Sequence, residues 1–206
     1  MKKTELKKIL KKHLKWLKGE GGERANLSGA DLRKADLQGA DLRWAILTKA
    51  NLTRANLTRT NLKRANLSEA TLSEADLRDS DLSNTNLRYT DFSEAILENV
   101  DLTDSDLSYA DLSYSDLSDT NLTGVNLKRA SLKGADLDYS CMPLWCGDLK
   151  ANYDEKQIIQ QLYHVLSHVK YSDTSTDRLK EILLKDELVA LANEFHRVGE
   201  CEEITK

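Results

Sequence analysis

Proline is almost missing from this chain: the one copy in 206 residues is Pro143. Cysteine is scarce and odd in number, at Cys141, Cys146 and Cys201. Three thiols without a secretion signal exclude a disulfide framework and point to a reducing compartment, so a cytoplasmic location with free thiols is expected. Long apolar stretches are missing too. At the Lys-rich N-terminus the longest is Ile9-Leu10, too short for a signal-peptide core or a membrane span. No large charge excess stands out, since 30 Lys+Arg face 34 Asp+Glu for a net −4, and the chain reads as soluble. There is no Gly-rich phosphate loop, HExxH, GxSxG or CxxC, so no catalytic set is visible and no enzyme activity is expected.

What is present is a period. Between residues 25 and 139 run 23 consecutive five-residue units, centred on every fifth residue from Leu27 to Leu137. Every centre is Leu except Phe92. Two residues earlier stands a small side chain, as at Ala25, Ala30 and Ala35, with Val100 and Val125 the bulkiest. Between the two sits mostly Asn or Asp, giving ANLSG, ADLRK, ADLQG and ADLRW.

Neither regular element keeps such a pattern on one face. On a helix each residue advances about 100°, so every fifth Leu walks around the cylinder. On a strand five steps flip each successive Leu to the opposite face. The remaining solution is a chain that turns once per unit, with the small residue and the Leu pointing inward. Asn, Asp, Ser and Gly suit the corners, because their side chains or freedom favour tight turns. A unit alone cannot bury its Leu, so coils must stack.

These A-(D/N)-L-x-x units resemble the pentapeptide-repeat family, over about 115 of the 206 residues. The resemblance implies an all-β solenoid, a right-handed quadrilateral β-helix with one unit per side and nearly six coils. It would carry an N-terminal capping helix and a C-terminal α-helical bundle. The domains read as 1–22 (capping helix and Gly-rich turn), 23–142 (repeat β-helix) and 143–206 (helical cap).

Both ends suit caps, which open solenoid edges require. Residues 4–18 place Leu6, Ile9, Leu10, His13, Leu14 and Leu17 at helical spacing, and Gly19, Gly21 and Gly22 stop the helix. Residues 1–18 hold eight Lys and one Glu, so a basic amphipathic helix for membranes or acidic partners is one reading. The other, preferred here, is a lid with its apolar stripe on the first Leu layer, His13 and Trp16 serving as packing and rim residues. At the far end Met142 centres one more unit and Pro143 ends the ladder. A helix is expected over 155–170 and one or two more beyond Thr176. This extension, with the HxxWL lid and the GGERANLSGADL junction, resembles pentapeptide-repeat proteins of bacteria and their phages and implies that origin.

Charge is banded. Six bases and no acid fall between residues 43 and 64, whereas 69–119 holds fourteen acids against Arg78 and Arg88, a net 2 − 14 = −12. One reading is a partner-binding acidic surface through Glu69, Glu74, Asp79, Glu94, Asp104 and Asp119. The other is axial pairing: with four units per coil, residues twenty apart stack, so Lys49 meets Glu69, Arg54 meets Glu74 and Arg59 meets Asp79. Tyr89 and Tyr109, with Tyr114 one face over, form an aromatic ridge that serves either an interface or coil stacking, and Arg129 over Tyr109 adds a cation–π contact.

The expected function is a non-catalytic scaffold that binds an unidentified protein through charged lateral faces. The alternative is a DNA-mimic modulator of gyrase or topoisomerase, which the resemblance to gyrase-binding pentapeptide proteins of quinolone resistance implies. Departures from that subset are the Leu centres in place of frequent Phe, the uninterrupted units, the basic first coils and the C-terminal bundle. Direct nucleic-acid binding and a membrane site are not expected, and monomer and dimer both stay open. No cofactor is expected apart from one weighed zinc set, Cys141, Cys146, His196 and Cys201, against which stands plain apolar packing. His164 and His168 read as a surface pair.

Overall fold

Backbone pairing recurs every twenty residues. Nineteen parallel bridges run without a gap from Asn26↔Ile46 to Asp116↔Asp136. Twenty residues is four units, so each unit forms one side of a coil and four sides close it. The structure is a computed structural model, and it describes residues 1–137. The unit centred on Met142, the helices expected beyond Pro143 and the Cys/His set lie outside the described residues.

Each corner is built the same way. The carbonyl of one centre accepts the N–H three residues on, as in Ala30 N–H to Leu27 O at 3.0 Å, closing a four-residue turn. The third residue of every such turn, from Gly29 to Gly134, has positive φ, and eighteen of these are not glycine. Positive φ there is the type II requirement. The residue before the centre reinforces the turn: Asn51 Oδ1 accepts the Thr53 N–H at 3.1 Å, and Asp81 Oδ1 the Ser83 N–H at 2.9 Å. Centre and corner N–H groups then bond the next coil, as in Leu27 N–H to Ile46 O at 2.7 Å and Gly29 N–H to Thr48 O at 2.8 Å. Main-chain donors are thereby used in both turn and ladder.

The core is the stack of centres. Phe92 and all the leucines from Leu27 to Leu137 are 2% exposed or less. The small inward residues fill the remaining space. Where one is Thr, its hydroxyl donates to a carbonyl of the coil below, as Thr60 to Leu37 O (3.0 Å) and Thr120 to Leu97 O (2.8 Å).

Helix α1 (Lys3–Leu17) forms as expected, one residue displaced. It buries Leu6 and His13 against the first coil and half-buries Ile9, Leu10 and Leu17, but Leu14 and Trp16 face solvent. The inward stripe is therefore narrower than the spacing suggested, because residues 6, 10, 13 and 17 share one line on a 3.6-residue helix and Leu14 falls about 100° away from His13. Of the first coil's small residues only Ala25 is fully buried, while Ala30, Ala35 and Ala40 are half-buried. Among the described residues no helix is long and apolar enough to cross a membrane.

Candidate interaction surface

The corner residues project from the four edges of the coils, and residues twenty apart form axial columns. Three columns hold the expected pairs: Lys49–Glu69 at 3.4 Å, Arg54–Glu74 at 2.8 Å and Arg59–Asp79 at 3.6 Å. All six side chains remain well exposed, so each pair contributes only tenths of a kcal/mol and mainly fixes register. Asn99 Nδ2 adds a hydrogen bond to Asp79 Oδ1 at 2.8 Å. Glu94, Asp104 and Asp119 are exposed corner acids with no ion pair among the described residues. The acids assigned to one surface thus separate into three that are internally paired and three that are free.

Other acids are used within their own unit, a device that sequence reading missed although the D-L-R string displays it. Asp31–Arg33, Asp41–Arg43 and Asp76–Arg78 each make two-pronged contacts, with closest approaches of 2.7, 2.7 and 2.6 Å. These guanidinium hydrogen bonds hold the Asp31, Asp41 and Asp76 carboxyls below the usual carboxylate range. Arg88 reaches Asp106 diagonally at 3.4 Å.

After this pairing an acidic zone remains. Residues 81–119 hold ten acids against one base, Arg88, a net 1 − 10 = −9, and that base is already engaged with Asp106. Two coils of the rod therefore carry almost unscreened negative charge.

The tyrosines lie where the twenty-residue rule puts them. Tyr89 and Tyr109 stack with centroids 4.8 Å apart and planes 17° apart. Arg129 covers Tyr109 at 5.6 Å and Arg88 covers Tyr89 at 5.7 Å. Tyr114, on the next face and 60% exposed, has Lys133 above it at 5.9 Å. The ridge is therefore stacked internally and exposed on its outer side. A further cation–π pair that the sequence reading overlooked joins Arg64 to the exposed Trp44 at 4.9 Å; the same interval of twenty would have found it.

Among the described residues no group of three or more His, Cys, Asp or Glu side chains is placed to hold a metal ion. Cys141, Cys146, His196 and Cys201 lie outside them.

Comparison with known proteins bears on the whole ladder. A model of pentapeptide repeats matches residues 25–64 with eight copies, and one of a pentapeptide repeat region matches 55–140. No curated protein matches. Among solved structures, HetL, a pentapeptide repeat protein involved in heterocyst differentiation regulation from the cyanobacterium Nostoc sp. strain PCC 7120, is 32% identical; the alignment covers 59% of this chain and 69% of that one, with a TM-score of 0.30. Rfr23, a pentapeptide repeat protein from the cyanobacterium Cyanothece 51142, is 23% identical over 71% of this chain and 99% of its own, with a TM-score of 0.39. QnrB1, a plasmid-mediated fluoroquinolone resistance protein, is 20% identical over 69% and 91%, with a TM-score of 0.21. Between them the two repeat models take in residues 25–140, more than half of the chain, so this protein belongs to the pentapeptide-repeat family, whose members fold as right-handed β-helices.

Proposed function

We propose that this protein is a non-catalytic interaction module that docks a protein partner with a basic surface on its upper coils. The observation that carries this reading is the residual charge of 81–119, ten acids against one base. Charge of one sign on a rigid face steers a complementary partner and sets its register. Glu94 and Asp119, exposed and free of ion pairs among the described residues, supply contacts together with Asp104. Tyr114 and the Tyr89–Tyr109 stack supply the aromatic anchors common at interfaces. Glu69, Glu74 and Asp79 serve register first, since their charge is answered within the chain. Helix α1 acts as a cap on the first coil, and the setting is the cytoplasm.

The test is capture from a bacterial lysate at low and moderate salt, using wild-type bait beside a Glu94→Lys/Asp119→Lys bait. The expected result is a saturable partner released by salt and lost with the reversed charges. A partner retained equally by both baits would overturn the reading.

A second reading, modulation of gyrase or topoisomerase by imitation of DNA, draws on the same acidic coils. The first 68 residues oppose it, with seventeen bases against six acids, because they break any continuous negative ladder. It predicts salt-sensitive inhibition of supercoiling. Inhibition unchanged by reversing Asp101, Asp104 and Asp106 would end it.

A further inference from the structure

Three corner columns answer a base with an acid one coil higher, at Lys49–Glu69, Arg54–Glu74 and Arg59–Asp79. The fourth does not. Above Arg64 stands Asn84, and the acid, Asp104, comes one coil later. The column is continuous: Trp44 N–H bonds Lys63 O at 3.0 Å, Arg64 N–H bonds Ser83 O at 3.1 Å, Asn84 N–H bonds Thr103 O at 2.8 Å and Asp104 N–H bonds Thr123 O at 2.9 Å. The Arg64 guanidinium lies over Trp44 and makes no ion pair among the described residues, and the Asp104 carboxylate is likewise unpaired there. At the column's upper end Gly124 has no side chain, and a Cβ there would collide with the Asp104 carboxylate.

Read from Asn84, this column is its own complement in reverse. Arg64 lies one coil below and Asp104 one coil above; Trp44 lies two below and Gly124 two above. We propose that this face docks on the same face of a second copy running antiparallel, about a two-fold axis at Asn84. Each Arg64 then meets Asp104 of the second copy, and each Trp44 lies across Gly124 of the second copy. A two-fold axis in the interface plane keeps each column opposite its own image while inverting the axial order, as an isologous contact requires. Both copies rise by the same ~4.8 Å per coil, so the match holds over all five coils.

Competing arrangements fare worse. Parallel pairing sets Arg64 on Arg64 and Asp104 on Asp104. On the other three faces the bases at this level are already engaged with acids of their own chain. The antiparallel pair carries one cost, the approach of Asp81 to its own image. That carboxylate is partly occupied, accepting hydrogen bonds from Ser83 N–H at 2.9 Å and Ser83 Oγ at 2.7 Å. The strip spans about 19 Å between its end coils, which places the contact at the small end of specific interfaces. Its strength therefore rests on the charges and falls with salt. This self-association shares Asp104 with the partner reading above but leaves Glu94, Asp119 and the tyrosine-bearing columns open, so the Glu94→Lys/Asp119→Lys bait tests that reading separately.

Sedimentation equilibrium of the full chain at low and high ionic strength tests it. The expected wild-type result is a monomer–dimer equilibrium weakened by salt. Arg64→Glu or Asp104→Lys alone raises the dimer dissociation constant by about tenfold or more, since symmetry repeats each reversal. An equimolar mixture of the two variants restores association, because the reversed residues then face each other across the axis. That rescue also shows that both variants are folded. A chain that stays monomeric at low salt, a dimer indifferent to both reversals, or a mixture no tighter than its components overturns the proposal.

Discussion

The imidazole Nδ1 of His13 accepts the backbone N–H of Ala25 at 3.1 Å, twelve residues away, and both groups are buried. This bond ties α1 to the first coil, and it needs a neutral ring with the proton on Nε2, an atom that meets no acceptor in good hydrogen-bond geometry among the described residues. Burial is the main cause holding the His13 pKa below its usual 6.5. The Asp41 carboxylate and the Arg43 carbonyl oppose that shift, while the Arg24 and Arg43 guanidinium groups reinforce it. The folded protein thus binds fewer protons near that pH than the unfolded chain does. The contribution of His13 is complete above about 6.5 and is lost as pH falls below it. Hydrogen exchange at the Ala25 amide, corrected for its intrinsic rate, should accelerate between about pH 7 and 5. His13→Gln, which keeps an acceptor but not a titrating ring, should flatten that profile. A wild-type profile that is already flat would show that the bond does not latch the helix.

Ser105 carries the opposite lesson. Its side chain is 2% exposed and its Oγ finds no partner among the described residues, whereas Thr85 one coil below donates to Leu62 O at 3.1 Å. An unmet buried hydroxyl costs about 1–3 kcal/mol, and most inward positions here are already Ala. Ser105→Ala should therefore raise stability by about 1 kcal/mol, read as a shift in denaturant midpoint at constant m value. A lower midpoint would show that the hydroxyl is satisfied after all.

The number twenty carried most of what the sequence could tell. Once period five implied a four-sided coil, the pairs Lys49–Glu69, Arg54–Glu74 and Arg59–Asp79, the Tyr89–Tyr109 stack and the Arg129–Tyr109 contact all followed by addition, because a solenoid makes sequence distance a spatial coordinate. Within-unit pairs such as Asp76–Arg78 do not follow from that interval, because the partners lie two residues apart on one side of a coil and not one coil apart. The position of α1 was legible only in part. Its apolar spacing gave the helix, but which residues faced inward depended on His13 finding Ala25 N–H. That is a contact between elements, and no periodicity encodes it.

Corner conformation was the other feature that the pattern hid. Glu94 sits at φ 58°, exposed and without an ion pair among the described residues, so substitutions there report mainly backbone preference. Left-handed geometry disfavours side chains branched at Cβ. Glu94→Val should cost about 1–2 kcal/mol by chemical denaturation. Glu94→Gly should come out within about 1 kcal/mol of wild type, because relief of strain is offset by greater freedom in the unfolded chain. Equal losses for Val and Gly would place the effect in the missing carboxylate and not in the backbone.

Asn84→Asp joins register to self-association. The change gives Arg64 the acid one coil above that the other three columns already have, at a corner where Asp is tolerated as readily as Asn. The new axial pair is exposed, so monomer stability should rise by no more than about 1 kcal/mol, and less at high salt. Association should move the other way. Arg64 becomes engaged within its own chain, and the new carboxylate faces its own image on the proposed two-fold axis. The dimer dissociation constant measured by sedimentation should rise by about tenfold. Unchanged or tighter association, with the stability gain still present, would mean that Arg64 is free to pair within the chain without weakening any interface, and the antiparallel contact would then lie elsewhere or not form.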